Sequence, residues 1–397
     1  MNAQIDFLNR SEVKKFISEH VDSDPNELIL NPPSSLKDHI KLVASQILAR
    51  QKAKGKLDAW AKNYDLIMPP PLSIEQASSE ATCQYKSSLI SGRSLIDLTG
   101  GMGIDCLALS ESFKNTTYVE RQDNLCELFD HNATALGKSV KIVHADCLDY
   151  LQSVNSDLEN TCCYLDPARR DSTQNRVFRI EDCSPNLIEL MPLLKQKAKK
   201  VLVKFSPMLD IKAAITSISN IAEIHVVSVK NECKEVLLLV DFREQKEPSV
   251  KCVNLQSKHQ PYAFTIQHEH TSSAQFGHLK SYIYEPNSSI MKAGAFNKIS
   301  TDYNLLKLGE NTHLYTSDEL IRSFPGRIFN IISAVNRKTI GEFVSKGRIN
   351  VITRNYPLSA PELKKKWKLK DGGDHFLIGY KGMDNRPQTV IAIRADL

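Results

Sequence analysis

The chain lacks most of what would place it outside a reducing, aqueous compartment. No apolar run reaches the roughly 18–20 residues a membrane-spanning helix needs. The segment Met1-Asn2-Ala3-Gln4-Ile5-Asp6 has none of the basic-then-apolar layout of a signal peptide. The nine cysteines include no Cys-x-x-Cys pair and are odd in number, which argues against a zinc site and against a disulfide framework. Several, including Cys106, Cys126, Cys162 and Cys163, sit in apolar patterns where a small buried thiol fits. A cytoplasmic protein is the expectation. No internal repeat or long low-complexity segment occurs. No Ser lies in a Gly-x-Ser-x-Gly context, so a hydrolase triad has no support. His268-Glu269-His270 offers two imidazoles but no third ligand nearby, and a surface loop without a metal is the expectation.

What is present is ordinary in amount and uneven in placement. At 397 residues, 41% hydrophobic and 24% charged, the chain has the composition of a globular protein of two to three domains. The net charge is +5, yet residues 320–397 carry fifteen Lys/Arg against six Asp/Glu. The preceding residues are therefore net acidic, and the basic end points to a polyanion partner.

Residues 1–90 read as helical. Ser11-Glu12-Val13-Lys14 suggests a cap, Ile40, Val43, Ile47 and Leu48 fall at helical spacing, and a further helix is expected through Glu75–Glu80 after Pro69-Pro70-Pro71. From about 91 the pattern changes to short β-rich runs at Ser94–Leu98, Thr116–Glu120, Val140–His144, Cys162–Asp166 and Lys200–Lys204. The first four recur every 22 to 24 residues, the spacing of βα units in a parallel sheet. Ile224–Val229 and Val236–Phe242 follow with a connection too short for a parallel crossover, so this pair is antiparallel. Five parallel strands closed by an antiparallel pair describe a Rossmann-like class I methyltransferase sheet, whereas a dehydrogenase domain would continue with parallel strands. Beyond 251 the pattern is α+β. It has strands at Ser281–Tyr284, Thr312–Thr316, Arg327–Ser333, Ile349–Thr353, Phe376–Tyr380 and Thr389–Arg394, and helices at 290–296, 339–345 and 360–368.

The chemistry concentrates at the ends of the parallel strands. Asp97 closes the first, and Gly100, Gly101 and Gly103 form the turn beyond it, where the backbone must bend sharply and let a ligand come close. Glu120 closes the second strand, placed to accept from two ribose hydroxyls. Asp146 follows the third, placed to accept from an adenine amino group. Three such signals on three consecutive strands point to S-adenosyl-L-methionine. The fourth strand ends in Asp166-Pro167-Ala168-Arg169. In methyltransferases an Asn/Asp-Pro-Pro-aromatic loop stands here and holds the acceptor in line with the methyl group. Here Ala168-Arg169 replaces the Pro and the aromatic, which weakens the case for an adenine or cytosine amino group. We assign Asp166, Pro167 and Arg169 to the transfer site. Lys204-Phe205-Ser206-Pro207, after the fifth strand, has no cysteine nucleophile, which disfavours pyrimidine C5 as acceptor.

Arg169, Arg170, Arg176 and Arg179 read equally as a phosphate clamp and as surface partners of Asp171, Glu181 and Asp182. In the tail, Arg337, Lys338, Arg354 and Lys364-Lys365-Lys366-Trp367 read either as an RNA-tracking surface with a stacking ring or as a solvated helix face with the Trp turned inward. The charge imbalance favours RNA.

Taken together, several segments resemble a bacterial family of class I methyltransferases with C-terminal ferredoxin-like and THUMP-like domains. They are Glu75–Glu80, Asp97–Asp105, Asp166–Arg170, Asn231-Glu232-Cys233-Lys234-Glu235, Tyr284-Glu285-Pro286, Phe324-Pro325-Gly326-Arg327 and Lys370-Asp371-Gly372-Gly373-Asp374. The resemblance implies a helical segment over 1–90, a methyltransferase domain over 91–250, a ferredoxin-like domain over 251–322 and a THUMP-like RNA-binding domain over 323–397. It also implies methylation of structured RNA, tRNA or rRNA, at an unspecified atom. A small-molecule methyltransferase with a dimerising tail, and a non-catalytic RNA-binding protein of the same fold, are the alternatives.

Overall fold

The computed structural model describes residues 2–155, 158–169, 180–244, 246–344 and 348–395. The chain divides into two units, Met1–Ala222 with Val236–Lys246, and Glu223–Glu235 with Glu247–Leu397.

The first unit begins with helices, the longest being Ile40–Ala53. Its Ile40, Val43 and Ile47 pack with Phe7, Val13 and Ile17 from the first two helices of the chain, the i, i+3, i+7 stripe the sequence displays. Two expectations are corrected here. Ser11 is the first residue of helix Ser11–Glu19, not its cap; Arg10 holds that place without a side-chain hydrogen bond. The helix expected through 75–80 is two helices, Pro71–Gln76 and Glu80–Ser87, because Ser79 caps the second. Its Oγ accepts from Thr82 N at 3.2 Å while its own N–H donates to Thr82 Oγ1 at 2.9 Å. Arg50, 2% exposed, fixes the loop after Ile40–Ala53 by donating to the carbonyls of Ala61 and Asn63, both at 3.0 Å, and of Leu66 at 2.7 Å.

The strands follow as β1 (Gly92–Asp97), β2 (Phe113–Glu120), β3 (Lys141–His144), β4 (Thr161–Leu165), a short ribbon of β5 (Ala168–Arg169) and β6 (Cys183–Ser184), β7 (Lys200–Phe205), β8 (Ile221–Val229) and β9 (Glu232–Asp241). Within this unit the order is β9-β7-β4-β1-β2-β3. Five of these strands are parallel, and β9 lies antiparallel to β7. Every residue of β4 is buried, as expected of a central parallel strand covered on both faces. Because the five run the same way, their carboxyl ends share one edge, and the strand-end acids meet there.

In the second unit, β8 leads into Lys230 and Asn231, at φ 50° and 65°, the left-handed pair a two-residue hairpin turn requires. β10 (Ser249–Leu255) lies parallel to β8, and β11 (Tyr262–Thr265) antiparallel to β10. Neither strand was expected from the sequence. A second sheet contains β12 (Tyr282–Pro286), β13 (Leu306–Lys307), β14 (Tyr315–Ser317), β15 (Gly326–Ala334), β16 (Asn350–Arg354), β17 (His375–Lys381) and β18 (Pro387–Arg394), in the order β13-β14-β12-β15-β18-β17-β16. Alternation along its strands builds two cores. Ile378 and Val390 pack with Ile283 and Phe329, while their neighbours Leu377 and Ile391 pack with Ile349 and Leu363. The helix expected at 339–345 is a four-residue 3-10 turn, Ile340–Phe343. Asn336 competes for its first turn by accepting from Lys338 N at 2.8 Å, and Ser345 lies outside the described residues.

Candidate active site

The turn after β1 needs its three glycines for two reasons, close approach of a ring and a left-handed backbone. A Cβ on Gly100 would sit 2.2 Å from the Tyr118 ring, and one on Gly103 2.0 Å from the Phe129 ring. Gly101 has open space but a φ of 53°. Tyr118 of β2 and Phe129 of helix Asp123–Ala135 stack at 3.8 Å between centroids. Tyr118 also donates its hydroxyl to the Gly101 carbonyl at 2.6 Å. The turn is thus clamped against an aromatic pair by close approach.

Above it lies a cavity of about 400 Å³ at the carboxyl edge of the sheet, within the size range of small-ligand sites. Gly101, Glu120, Asp146 and Asp166 are on its walls, with Leu98 and Val119 among the apolar residues between them. Glu120, 9% exposed, accepts from Gly101 N through Oε2 and from Gln122 N through Oε1, both at 2.9 Å. Each oxygen keeps a lone pair for a ligand hydroxyl. Asp146 caps helix Cys147–Ser153 by accepting from Leu148 N at 2.9 Å through Oδ1.

Asp97, Gly100, Gly103 and Pro167 are buried and do not line this cavity; each adjoins in sequence a residue that does or, for Gly103, lies two residues from Gly101. Asp97 is 1% exposed and accepts from Thr99 N at 3.0 Å. Burial, with Asp105, Asp166 and Glu120 as neighbours, pushes its carboxyl up to about 8. Asp105 behaves oppositely. Burial works against its charge, but the ammonium groups of Lys86 at 3.3 Å and Lys204 at 3.6 Å, with the Tyr164 hydroxyl at 2.7 Å, hold it well below the usual carboxylate range. Ser78 also donates to Asp105, at 2.9 Å, and in turn accepts from Lys86 at 3.0 Å. Lys204 further pairs with Asp166, whose backbone N–H donates to Thr99 Oγ1 at 2.6 Å.

Sequence reasoning missed Lys86, Asp105, Tyr164 and Lys204 as members of the site. Asp105 stood inside the glycine segment, and Ser78 inside Glu75–Glu80. Their pairing shows what joins those two segments.

The remaining assigned residues are scattered. Arg169 enters β5 through its backbone, paired with Cys183; Arg170, Arg176 and Arg179 lie outside the described residues. Arg337 and Lys338 are exposed, as are Lys365 and Lys366 on helix Ala360–Trp367. Lys364 pairs with Asp371 at 2.6 Å. Arg354 pairs with Glu285 at 2.5 Å. Trp367 packs against the core that holds Leu363 and Leu377, so a base-stacking ring on this helix is not what the structure displays. Glu269 of the His-Glu-His segment accepts from the N–H groups of Phe296, Asn297 and Lys298 at 3.0, 2.8 and 2.8 Å. Among the described residues no His, Cys, Asp and Glu group is arranged to hold a metal, and no helix is long and apolar enough to cross a membrane. No disulfide joins any of the nine cysteines, and all but Cys233 are buried.

The strand order, the antiparallel β9 and the acid-lined cavity over a glycine turn define the class I S-adenosylmethionine-dependent methyltransferase fold. Comparison with known proteins agrees. The ferredoxin-like domain family matches residues 282–325, and the THUMP domain-like family matches residues 326–396. The crystal structure of a candidate methyltransferase from Porphyromonas gingivalis W83 is 32% identical, with a TM-score of 0.86 covering 97% of this chain and 98% of that one. An uncharacterised S-adenosylmethionine-dependent methyltransferase from Mycobacterium tuberculosis CDC 1551 is 21% identical over 344 residues, 84% of this chain and 90% of that protein. Its H37Rv counterpart aligns identically. The chain belongs to the bacterial family of S-adenosylmethionine-dependent methyltransferases with C-terminal ferredoxin-like and THUMP-like domains.

Proposed function

We propose that this protein is a cytoplasmic enzyme that methylates structured RNA, tRNA or rRNA, using S-adenosylmethionine held by Asp97, Gly100, Gly101, Gly103, Glu120 and Asp146. Its working division is 1–90 helical, 91–250 catalytic, 251–322 ferredoxin-like and 323–397 RNA-holding.

The observation that carries the cofactor reading is the charge arrangement around the cavity. Lys86, Asp105, Lys204 and Asp166 form two ammoniums against two carboxylates. Glu120, Asp146 and Glu189 add three carboxylates at the lining against Arg121, so the site holds excess negative charge even while Asp97 keeps its proton, which its raised pKa of about 8 favours at neutral pH. A ligand of net charge +1 can replace that proton. S-adenosylmethionine has that charge, with a sulfonium, an ammonium and one carboxylate. Glu120 has free lone pairs for ribose hydroxyls, and Asp146 for an amino group. Gly101 leaves the wall open where a side chain would intrude.

The cofactor supplies a methyl group already activated on sulfur, so this chain's residues have to orient the acceptor and exclude water. Asp166 stands at the cavity wall with its carboxylate fixed by Lys204, suited to accept a hydrogen bond from the acceptor. Pro167 stiffens the chain as it leaves β4. Arg169 follows in β5, one residue past the cavity lining.

The RNA reading is supported by the THUMP domain-like match over 326–396 and by the fifteen basic against six acidic residues from 320 onward. The test is mass-spectrometric comparison of modified nucleosides in RNA from cells with and without the gene. It should be followed by methyl transfer in vitro to RNA from the deletion strain. Loss of one methylated nucleoside, restored by the protein, is the expected result. An unchanged nucleoside profile together with binding of S-adenosylmethionine would turn the assignment to a small-molecule acceptor or to a non-catalytic RNA-binding protein.

A further inference from the structure

A second cavity, of about 830 Å³, lies wholly in the second unit and has no part in the cofactor site. Its ionisable lining is Lys230, Lys258, His259, Arg322, Arg327 and Arg394, with no carboxylate among the described lining residues. We propose that this cavity binds a phosphate of the RNA backbone. This assignment deepens the RNA reading and rests on it.

The neutral wall residues are engaged with one another. Asn231 donates its backbone N–H to Asn254 Oδ1 at 2.8 Å and accepts from Ser288 N at 2.7 Å. Ser257 donates its hydroxyl to the Asn254 carbonyl at 2.7 Å. Asn287, 3% exposed, accepts from Ile290 N at 3.1 Å and from the Ser289 hydroxyl at 2.6 Å. These bonds join the β8–β9 turn, the segment after β10 and the chain entering helix Ser288–Ala293 into one scaffold. The groups this scaffold presents to a ligand are the cations Lys230, Lys258 and Arg322.

The cations are under-balanced. Arg327 of this lining pairs with Glu285, 1% exposed and opposite it in the β12–β15 register. Glu285 accepts from Arg327 Nε at 2.6 Å and from Arg354 Nη2 at 2.5 Å, so a single negative charge serves two guanidiniums. Among the described residues Lys230, Lys258 and Arg322 make no ion pair. Several like charges gathered around one hollow repel each other, and a bound anion relieves that repulsion. Arg327 is held where it is by tight backbone packing: a Cβ on Gly326 would fall 2.1 Å from the Glu285 carbonyl oxygen.

Sequence segments meet here that the methyl-transfer site leaves unused. Asn231 opens Asn231–Glu235, and Gly326 and Arg327 close Phe324–Arg327. Their partners are a turn residue, a cap and an ion-paired arginine, none with a role at the cofactor. A phosphodiester fits what remains: it presents a single negative charge to several donors, and guanidinium forks grip phosphate oxygens in pairs.

The test uses the full-length protein with Lys258→Ala and Arg322→Ala combined, both exposed positions outside the cofactor site. Filter binding to bulk tRNA and to total ribosomal RNA is measured from 50 to 400 mM KCl, with S-adenosylmethionine titration as the check on folding. The expected result is at least tenfold weaker RNA binding and a salt slope reduced by about one to two. Cofactor affinity should not change, and inorganic phosphate should compete only at tens of millimolar. RNA binding and slope equal to wild type would overturn this assignment while leaving the RNA reading in place. No RNA binding by the wild-type protein would overturn both. Wild-type binding of inorganic phosphate or a nucleotide at micromolar concentration, lost in the double variant without any effect on RNA, would make the cavity a small-phosphate site and overturn the backbone assignment.

Discussion

The Lys204 ammonium stands between Asp166, with which it pairs, and Asp105, 3.6 Å away. One cation therefore ties the rim of the cavity to the half-buried acid at the start of the helix after the glycine turn. Replacing Lys204 by Gln should free the Asp166 carboxylate to move, while Glu120 and Asp146 stay in place. Misplacement of about 1 Å costs on the order of a hundredfold in rate. We expect single-turnover methyl transfer to fall by roughly that factor, by more than S-adenosylmethionine affinity changes. Equal losses in both would show that Lys204 serves cofactor binding instead.

Asp97 sets a pH dependence of definite sign. Its carboxyl is raised to about 8 in the folded protein and lies at about 3.9 in an unfolded chain. The native state therefore holds a proton that the unfolded state has lost between these values. Stability from this group is full below about pH 4 and declines as pH rises toward 8, by about 1.4 kcal/mol per unit. Asp97→Asn keeps an acceptor for Thr99 N and removes the penalty. It should be more stable than wild type by a few kcal/mol at pH 8 and nearly equal at pH 4, as read by urea unfolding. The same variant should bind S-adenosylmethionine much more weakly. Calorimetry of the wild type in buffers of different ionisation enthalpy should show release of close to one proton on binding at pH 7 and little at pH 9. Release independent of pH would detach Asp97 from the cofactor.

Arg50 tests the helical segment. Burial lowers its guanidinium to about 10, yet it still satisfies the carbonyls of Ala61, Asn63 and Leu66. Arg50→Met leaves these carbonyls unpaired and should cost about 3 kcal/mol, seen as a lower midpoint in urea. Arg50→Lys should recover less than half, since one ammonium cannot reach the spread of carbonyls that a planar fork covers.

What could be read in the sequence divides along range of interaction. The strands β1 to β4 and β7 were legible because apolar runs recur at a fixed interval, and Glu120 and Asp146 because a strand end is a local signal. The antiparallel β9 was legible from a connection too short for a crossover. The glycines were legible as a turn, but their cause was not, since Tyr118 lies 18 residues beyond Gly100 and Phe129 26 residues beyond Gly103. Lys86, Asp105, Tyr164 and Lys204 come from four separate elements, and no spacing rule joins them. In Lys364–Trp367 the charge was visible in the sequence. The orientation was not: Leu363 and Trp367, four residues apart, face the core and leave the lysines between them outward or tied to Asp371. β10 and β11 do alternate, with Val250 and Cys252 or Tyr262 and Phe264 buried between more exposed neighbours, but two such positions per strand are too few to stand out as a repeat.

Gly101 and Gly103 separate binding from folding within a single turn. Gly103→Ala places a methyl 2.0 Å from the Phe129 ring at a φ of 73°, so both the ring and the backbone must shift. A cost of about 2–4 kcal/mol is expected, in the range of overpacked cores and strained backbones. Gly101→Ala meets only the Thr99 carbonyl at 3.6 Å, so its cost is the left-handed φ alone, about 1 kcal/mol. But Gly101 is on the cavity wall and gives its N–H to Glu120, so its new methyl takes up ligand space. Thermal unfolding should rank Gly103→Ala as the worse variant. S-adenosylmethionine titration below the unfolding range should rank Gly101→Ala as the worse, by tenfold or more. If the order were the same in both measurements, the cavity over this turn would not be where the cofactor sits.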